Sequence, residues 1–366
     1  MNMKLYLLIM LSCIICVTTS CEYDDFNPSE WSIEPELSLS SSGVVFNSII
    51  GSQKVGVVTN YKSYEVSSDQ AWCKVSSEKD TILIEVEPNV NTEQRIATVK
   101  VDISRGKRRL SKSISVVQMG GIWDIVGSFN VFWRYDISDT QRDAIKELLS
   151  SMVYVEGGTF YMGESGEKHK VSLSSFYIGK FELTQKQWGA IMATNPSEFR
   201  EADLPVENIS WSDALRFTSA LSNLTNLQVT LPTEAQWEYS ARGGKYSLNY
   251  EYAGSNDYTE VAHKVNDDIS ETSPLFKTAK GGTKLANELG LFDMSGNVAE
   301  YCSDWFDEYE MTESVDPVGP LSGTSKVIRG GNFSNIDLRL KVTNRWEAFS
   351  VTRQNALTGF RIVIIP

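Results

Sequence analysis

Histidine and cysteine are the scarce residues of this 366-residue chain, two of the one and five of the other. With only His169 and His263, a metal centre of three imidazoles cannot be built within one chain. No Gly-x-Ser-x-Gly elbow occurs and neither histidine has an evident partner, so the sequence gives no support to a serine hydrolase. Cys13, Cys16 and Cys21 lie near the N-terminus, and the remaining Cys73 and Cys302 are far apart, which excludes a disulfide framework. Positive charge is short as well: 34 Lys and Arg against 47 Asp and Glu give a net charge of −13. Binding of nucleic acid, or of an anionic membrane through charge, is thereby disfavoured. Beyond the N-terminus no apolar run is long enough to span a bilayer.

What is there begins with one charge, Lys4, then the apolar stretch Leu5 to Val17, then Thr18-Thr19-Ser20-Cys21. This order predicts an export signal and not a membrane span. A cysteine after a small residue at the end of the apolar stretch predicts lipoprotein processing, with Cys21 as the acylated first residue. Thr18 stands where Leu is usual, so an ordinary secretory peptide cut nearby is the alternative. A lipid anchor would make the membrane a partner without any spanning segment. Glu22, Asp24 and Asp25 resemble the acidic tag that sends some lipoproteins of the Bacteroidetes to the outer face of the outer membrane; a solvated linker is the other reading.

The patterning changes twice along the chain. Ile82, Ile84 and Val86, then Ala97, Val99, Val101 and Ile103, then Ile114, Val116 and Gln118 alternate at period two between turn-rich breaks, which predicts an all-β, Ig-like sandwich over 37–118. It follows a signal peptide over 1–20 and an acidic linker over 21–36. Residues 119–151 are expected to be a connector: Ala144, Ile145, Leu148 and Leu149 fall on one side of a short helix capped near Asp139. The aromatic run Phe129 to Tyr135 is expected to pack against a flanking domain, a partner surface being the alternative. The remainder, 152–366, reads as an irregular α+β domain. Within it Ser210 or Ser212 is expected to cap a helix carrying Ala214, Phe217 and Leu221, and Thr233 a second one, with Glu234 and Glu238 favoured by the helix dipole. Gly330 and Gly331 suggest backbone closed to other residues. His169 is expected in an exposed turn.

The phrases Pro205-Val-Glu-Asn-Ile-Ser-Trp211, Leu231-Pro-Thr-Glu-Ala-Gln-Trp-Glu-Tyr239, Gly290-Leu-Phe-Asp-Met-Ser-Gly-Asn-Val-Ala-Glu300, Arg329-Gly-Gly-Asn332 and Gly359-Phe-Arg361 stand in one order in this domain. They resemble the formylglycine-generating enzyme (sulfatase-modifying factor) family. The resemblance implies a compact fold related to C-type lectins. Upstream, Ala71-Trp72-Cys73, Asn91 to Ala97 and Val116-Val-Gln118 resemble a BACON-type module, with Trp72 as a core residue and the module more a spacer than a glycan binder.

In aerobic members of the enzyme family the resemblance implies two cysteines between the Gly-Gly turn and the final Gly-Phe-Arg, which bind copper(I). Here the matching positions are Asn335 and Leu340, and no cysteine lies between Asn332 and Thr358. Neither side chain replaces a soft thiolate, so copper is not expected. Cys302 is read as a buried filler. The resemblance also implies a Ca²⁺ held by the carbonyls of Ser295, Gly296 and Val298 and the carboxylate of Glu300, hard donors suited to that ion; local capping or pairing by Glu300 is the alternative. Asn266, Asp267 and Asp268 do not match the spacing of the family's other calcium site. Asp293 is expected to bond the turn that follows it.

The sequence therefore points to an exported, lipid-anchored, non-catalytic binding or assembly module, with a glycan or envelope protein as ligand. The alternative is a sulfatase-modifying oxidase or other enzyme using Asp337, Arg339, Arg345 and Trp346 in the same groove. Fold alone does not decide between them.

Overall fold

The computed structural model describes residues 34–48, 50–105, 108–134, 136–266, 269–334, 337–348 and 350–366. The expected signal peptide, Cys21 and the acidic tag lie outside them. The chain divides into two compact units.

The first unit is a sandwich of two four-stranded sheets. Its strands are β1 (Leu37–Leu39), β2 (Gly43–Phe46), β3 (Gly51–Thr59), β4 (Glu65–Ser68), β5 (Cys73–Glu78), β6 (Thr81–Val86), β7 (Arg95–Arg105) and β8 (Arg108–Gln118). One sheet runs β1-β3-β6-β5 and the other β2-β8-β7-β4. Val55 pairs with Ile82 across β3 and β6, and Ile82, Ile84, Val99, Val101, Ile114 and Val116 are buried by the period-two alternation of their strands. Trp72 is half-buried, in the turn before β5, and Cys73 takes the core position instead. The expected core tryptophan is one residue out because the strand, and with it the inward alternation, begins at Cys73.

The second unit takes in the whole segment from Gln118 onward, so residues 119–151 are no free connector. Strands β9 (Gly121–Val126) and β10 (Phe129–Arg134) form an antiparallel hairpin, followed by α1 (Asp139–Ser150). Ser138, adjacent to Asp139, caps α1, and its hydroxyl and the Gln141 side chain satisfy each other's backbone donors. Phe129, Trp133, Ile145, Leu148 and Leu149 enter one core with Trp188, Phe217 and Phe360. Phe129 and Trp133 of the aromatic run are therefore core of the C-terminal unit.

The rest of that unit is built from β11 (Val153–Val155), β12 (Gly158–Met162), β13 (His169–Leu173), β14 (Phe176–Ile178), α2 (Gln185–Met192), α3 (Trp211–Thr225), β15 (Gln228–Thr230), α4 (Glu234–Ala241), β16 (Ala299–Trp305), β17 (Ser314–Val315), β18 (Lys326–Arg329), β19 (Arg345–Ala348), β20 (Thr358–Gly359) and β21 (Val363–Ile365). Ser210 caps α3 and Thr233 caps α4, each closing a capping box with the side chain three residues on. The last strand, β21, lies between β14 and β15, so the C-terminus is drawn into the middle of a sheet. The sheet that matters for the site has the order β19-β18-β16-β20. Among the described residues no helix is long and apolar enough to cross a membrane.

Candidate functional site

Three acid–arginine pairs form the frame beneath β16, β18 and β19. Glu300 on β16 and Arg361, both fully buried, bond twice, Nε to Oε2 at 2.7 Å and Nη2 to Oε1 at 2.6 Å. Trp237 on α4 adds an indole donor to Oε2 at 2.8 Å, and Arg361 spends its other protons on the carbonyls of Gly179 and Phe292. Glu238 pairs with Arg329, the last residue of β18. Arg329 also donates to the carbonyls of Val342, Thr343 and Asn344, and so fixes the turn that leads into β19. Burial works against the Arg329 charge, yet Glu238, Tyr309 and Glu234 outweigh it and the guanidinium is held above its ordinary range. Glu234 grips Arg345 with both oxygens, at 2.8 and 2.7 Å.

This frame engages the carboxylate expected to hold calcium. Glu300 is the only anionic donor in the set of Ser295, Gly296, Val298 and Glu300, and both its oxygens accept from a buried guanidinium. A dication there would share its single carboxylate with Arg361 at contact distance, so these residues do not fit Ca²⁺. The Ser295 hydroxyl donates to the Leu340 carbonyl at 2.8 Å and accepts from the Ala253 amide. The Val298 amide donates to Glu182 at 2.9 Å, and Gly296, at φ +87°, has the His263 carbonyl 2.6 Å from where a Cβ would sit. The phrase is a tightly tied turn. Glu182 is buried beside it, and desolvation together with Asp293 and Glu300 pushes its carboxyl well above the usual range. Asp293 accepts from the Gly282 amide, upstream in sequence and not in the turn that follows.

Above the frame lies a groove of about 160 Å³ whose walls include Asn332, Arg339, Asn344, Trp346 and Asn355. The Arg339 guanidinium stands 3.8 Å from the Trp346 ring centre, and Trp346 is 43% exposed. Gly330 and Gly331 both have positive φ, and a Cβ on Gly331 would fall 2.6 Å from the Arg339 carbonyl, so the glycine lets the Asp337–Leu340 turn approach.

Of the four residues expected to share this groove, only Arg339 and Trp346 do. Arg345 points to the opposite face of β19, because successive strand residues alternate, and ends on Glu234, Tyr309 and the Asp307 carbonyl. Asp337 lies outside the groove walls, with Lys264 at 3.8 Å. Leu340 is fully buried against Tyr252, Val261 and Ala262, and Asn335 lies outside the described residues. Cys302 is fully buried in a core cluster, and burial, with Asp304 and Glu234, pushes its thiol well above the ordinary range, which disfavours the thiolate.

Two features escaped the sequence. His169 is not in an exposed turn: it is the first residue of β13, 8% exposed, with its ring 4.7 Å from that of Tyr309. Lys326, also buried, holds its ammonium 3.8 Å from the ring centre of Trp305 and 4.1 Å from that of Trp211. The period-two set Val171 and Leu173 was the available signal for β13. Nothing local foretold the lysine.

Residues 138–365 match the sulfatase-modifying factor enzyme 1-like domain, and residues 36–117 match a viral BACON domain. The chaperone protein LppX of Paenibacillus barcinonensis is 36% identical over 215 residues, 45% of this chain and 75% of that protein. The formylglycine-generating enzyme of Thermomonospora curvata is 28% identical over 269 residues, 53% of this chain and 86% of that enzyme. Among solved structures, Treponema denticola variable protein 1 superposes with a TM-score of 0.54 and 26% identity, covering 67% of this chain and 99% of that one. This chain belongs to the sulfatase-modifying factor enzyme 1-like family, the family of the formylglycine-generating enzymes.

Proposed function

We propose that the C-terminal domain is a binding module and not an oxidase, and that its ligand, a glycan or an envelope protein, lies in the groove of Arg339 and Trp346. The observation that carries this reading is Leu340. At one of the two positions where the family's thiols would stand, the side chain is a buried hydrocarbon in a core cluster, unable to bind copper(I) or to attack a substrate. The groove offers instead an exposed indole, a guanidinium and the amides of Asn332, Asn344 and Asn355, a set suited to recognition by stacking and hydrogen bonds. The name of one relative, a chaperone protein, fits a domain of this family at work in binding. The same reading puts the protein at the cell envelope, anchored through acylated Cys21.

The test is mass spectrometry of a cysteine-containing sulfatase-motif peptide incubated with the protein, copper and oxygen. Unchanged peptide is expected, and aldehyde formation that survives in Cys302→Ser would overturn the reading. Glycan arrays and pull-down from envelope extracts, each repeated with Arg339→Ala, then separate the two ligand classes. Cys21→Ala is expected to abolish lipid labelling; labelling that persists would place the anchor elsewhere.

A further inference from the structure

On the other face of β19 from the groove lies a larger cavity, about 390 Å³, closed by the segment between β16 and β18 and walled by His169, Glu234, Asp304, Tyr309 and Arg345. Its volume falls within the range of small-ligand sites. Arg345 shows how these walls hold a cation: a carboxylate below, a backbone carbonyl at 2.6 Å, and the Tyr309 ring centre at 3.9 Å. That arginine saturates Glu234. It does not saturate the rest of the cavity.

Asp304 is 4% exposed and lines the cavity. Its Oδ2 accepts from the Glu234 amide and the Ser303 hydroxyl, both neutral donors at 2.9 Å. No ion pair reaches it among the described residues, and the nearby Lys326 is committed to two tryptophans and the Ser303 carbonyl. His169, 92% buried, places Nδ1 3.2 Å from the Glu167 carbonyl, so that in the neutral ring Nδ1 carries the proton and Nε2 is an acceptor, with no partner among the described residues. Asp307, Glu308 and Glu310 stand exposed along the same walls and form no ion pair among the described residues. The open groups are thus acceptors and carboxylates, and the one cation in the walls is already neutralised. Among the described residues no three acidic, histidine or cysteine side chains converge as a metal site would require. The negative charge is spread along a cleft, which suits an elongated cation.

We propose that this cavity is a second binding site, and that it takes a basic side chain, the guanidinium or ammonium end of an arginine or lysine in a polypeptide partner. Charge selects the class, since the acidic walls attract a cation and the unpartnered acceptors need a donor-rich one. The cleft is separate from the Arg339 and Trp346 groove, so the site does not rest on the function proposed for that groove.

The experiment is saturation-transfer NMR on the full mature protein with three capped tripeptides, Gly-Arg-Gly, Gly-Lys-Gly and Gly-citrulline-Gly. Arginine and lysine peptides are expected to bind, with the neutral citrulline peptide about tenfold weaker or more. Asp304→Asn is expected to weaken the arginine peptide by about the same factor. Should Asp304→Asn fail to fold, the exposed double variant Glu308→Gln/Glu310→Gln decides, and a measurable loss of affinity is expected there too. Equal binding of citrulline and arginine peptides, absence of binding, or affinity untouched by the acidic-wall variants would overturn the proposal. So would loss of binding in Arg339→Ala, which would put the peptide in the other groove.

Discussion

Glu300 and Arg361 face each other with two hydrogen bonds in a site that no solvent reaches, 61 residues apart in sequence. Removing one partner leaves a buried charge uncompensated. Glu300→Gln is therefore expected to cost about 3–5 kcal/mol of stability. Chelator should leave the melting temperature of the wild type unchanged, because the carboxylate is paired with a guanidinium and not with a metal ion. Thermal melts of both proteins, with and without chelator, check this; a chelator-sensitive wild type would restore a metal to the turn.

At the groove the opposite pattern is expected. Trp346 is substantially exposed and its ring lies against the Arg339 guanidinium, so Trp346→Ala and Arg339→Ala should each change stability by about 1 kcal/mol or less, within the range of an exposed cation–π contact. Both should abolish ligand capture. Melting curves beside binding assays separate the two effects.

Much of this organisation can be read from the chain, but unevenly. Alternation at Ile82, Ile84 and Val86 and the four apolar positions of α1 mark burial directly, because local periodicity and burial coincide there. Glu234 shows the limit. Its place at a helix start was legible, yet its partner Arg345 comes from 111 residues away, and only the pairing of β18 with β19 brings the two together. Arg345 and Trp346 part for a related reason: adjacent in sequence, they fall on opposite faces of β19, and the strand is set by its pairing with β18. The turn from Ser295 to Glu300 is legible as a phrase, but which charge Glu300 answers depends on where Arg361 is threaded.

Glu207 makes a pH prediction. It is fully buried, and desolvation pushes its carboxyl up from 4.5 to about 7, against the pull of the Phe199 amide. A carboxyl raised in the folded state favours the protonated form, so its contribution is complete below pH 4.5 and is lost as pH rises through about 7. His263, held below its ordinary value by burial, acts in the opposite sense, so the informative quantity is a difference between proteins. The stability of wild type relative to Glu207→Gln is expected to fall between pH 5 and pH 8. A pH-independent difference in melting temperature would show that Glu207 does not titrate there.

Gly331→Ala tests the turn beneath the groove. At φ +67°, with the Arg339 carbonyl 2.6 Å from the new methyl, the substitution is expected to destabilise by about 1–3 kcal/mol and to displace Arg339. Weakened ligand binding should accompany the lower melting temperature, whereas Gly166→Ala, where a Cβ meets nothing within 4 Å, is expected to leave ligand binding intact.

The alternation of β19 gives the domain a division of labour along one short ribbon. Arg345 is tied to the ionic frame on one side, while Trp346 looks into the groove on the other. If the groove binds as proposed, substitutions at the outward-looking position alter what is recognised without touching the skeleton that keeps the chain folded. Recognition can drift between descendants of this protein at little cost to stability, and a single-residue insertion in the turn before β19 would do the reverse, exchanging skeleton and reading head at a stroke.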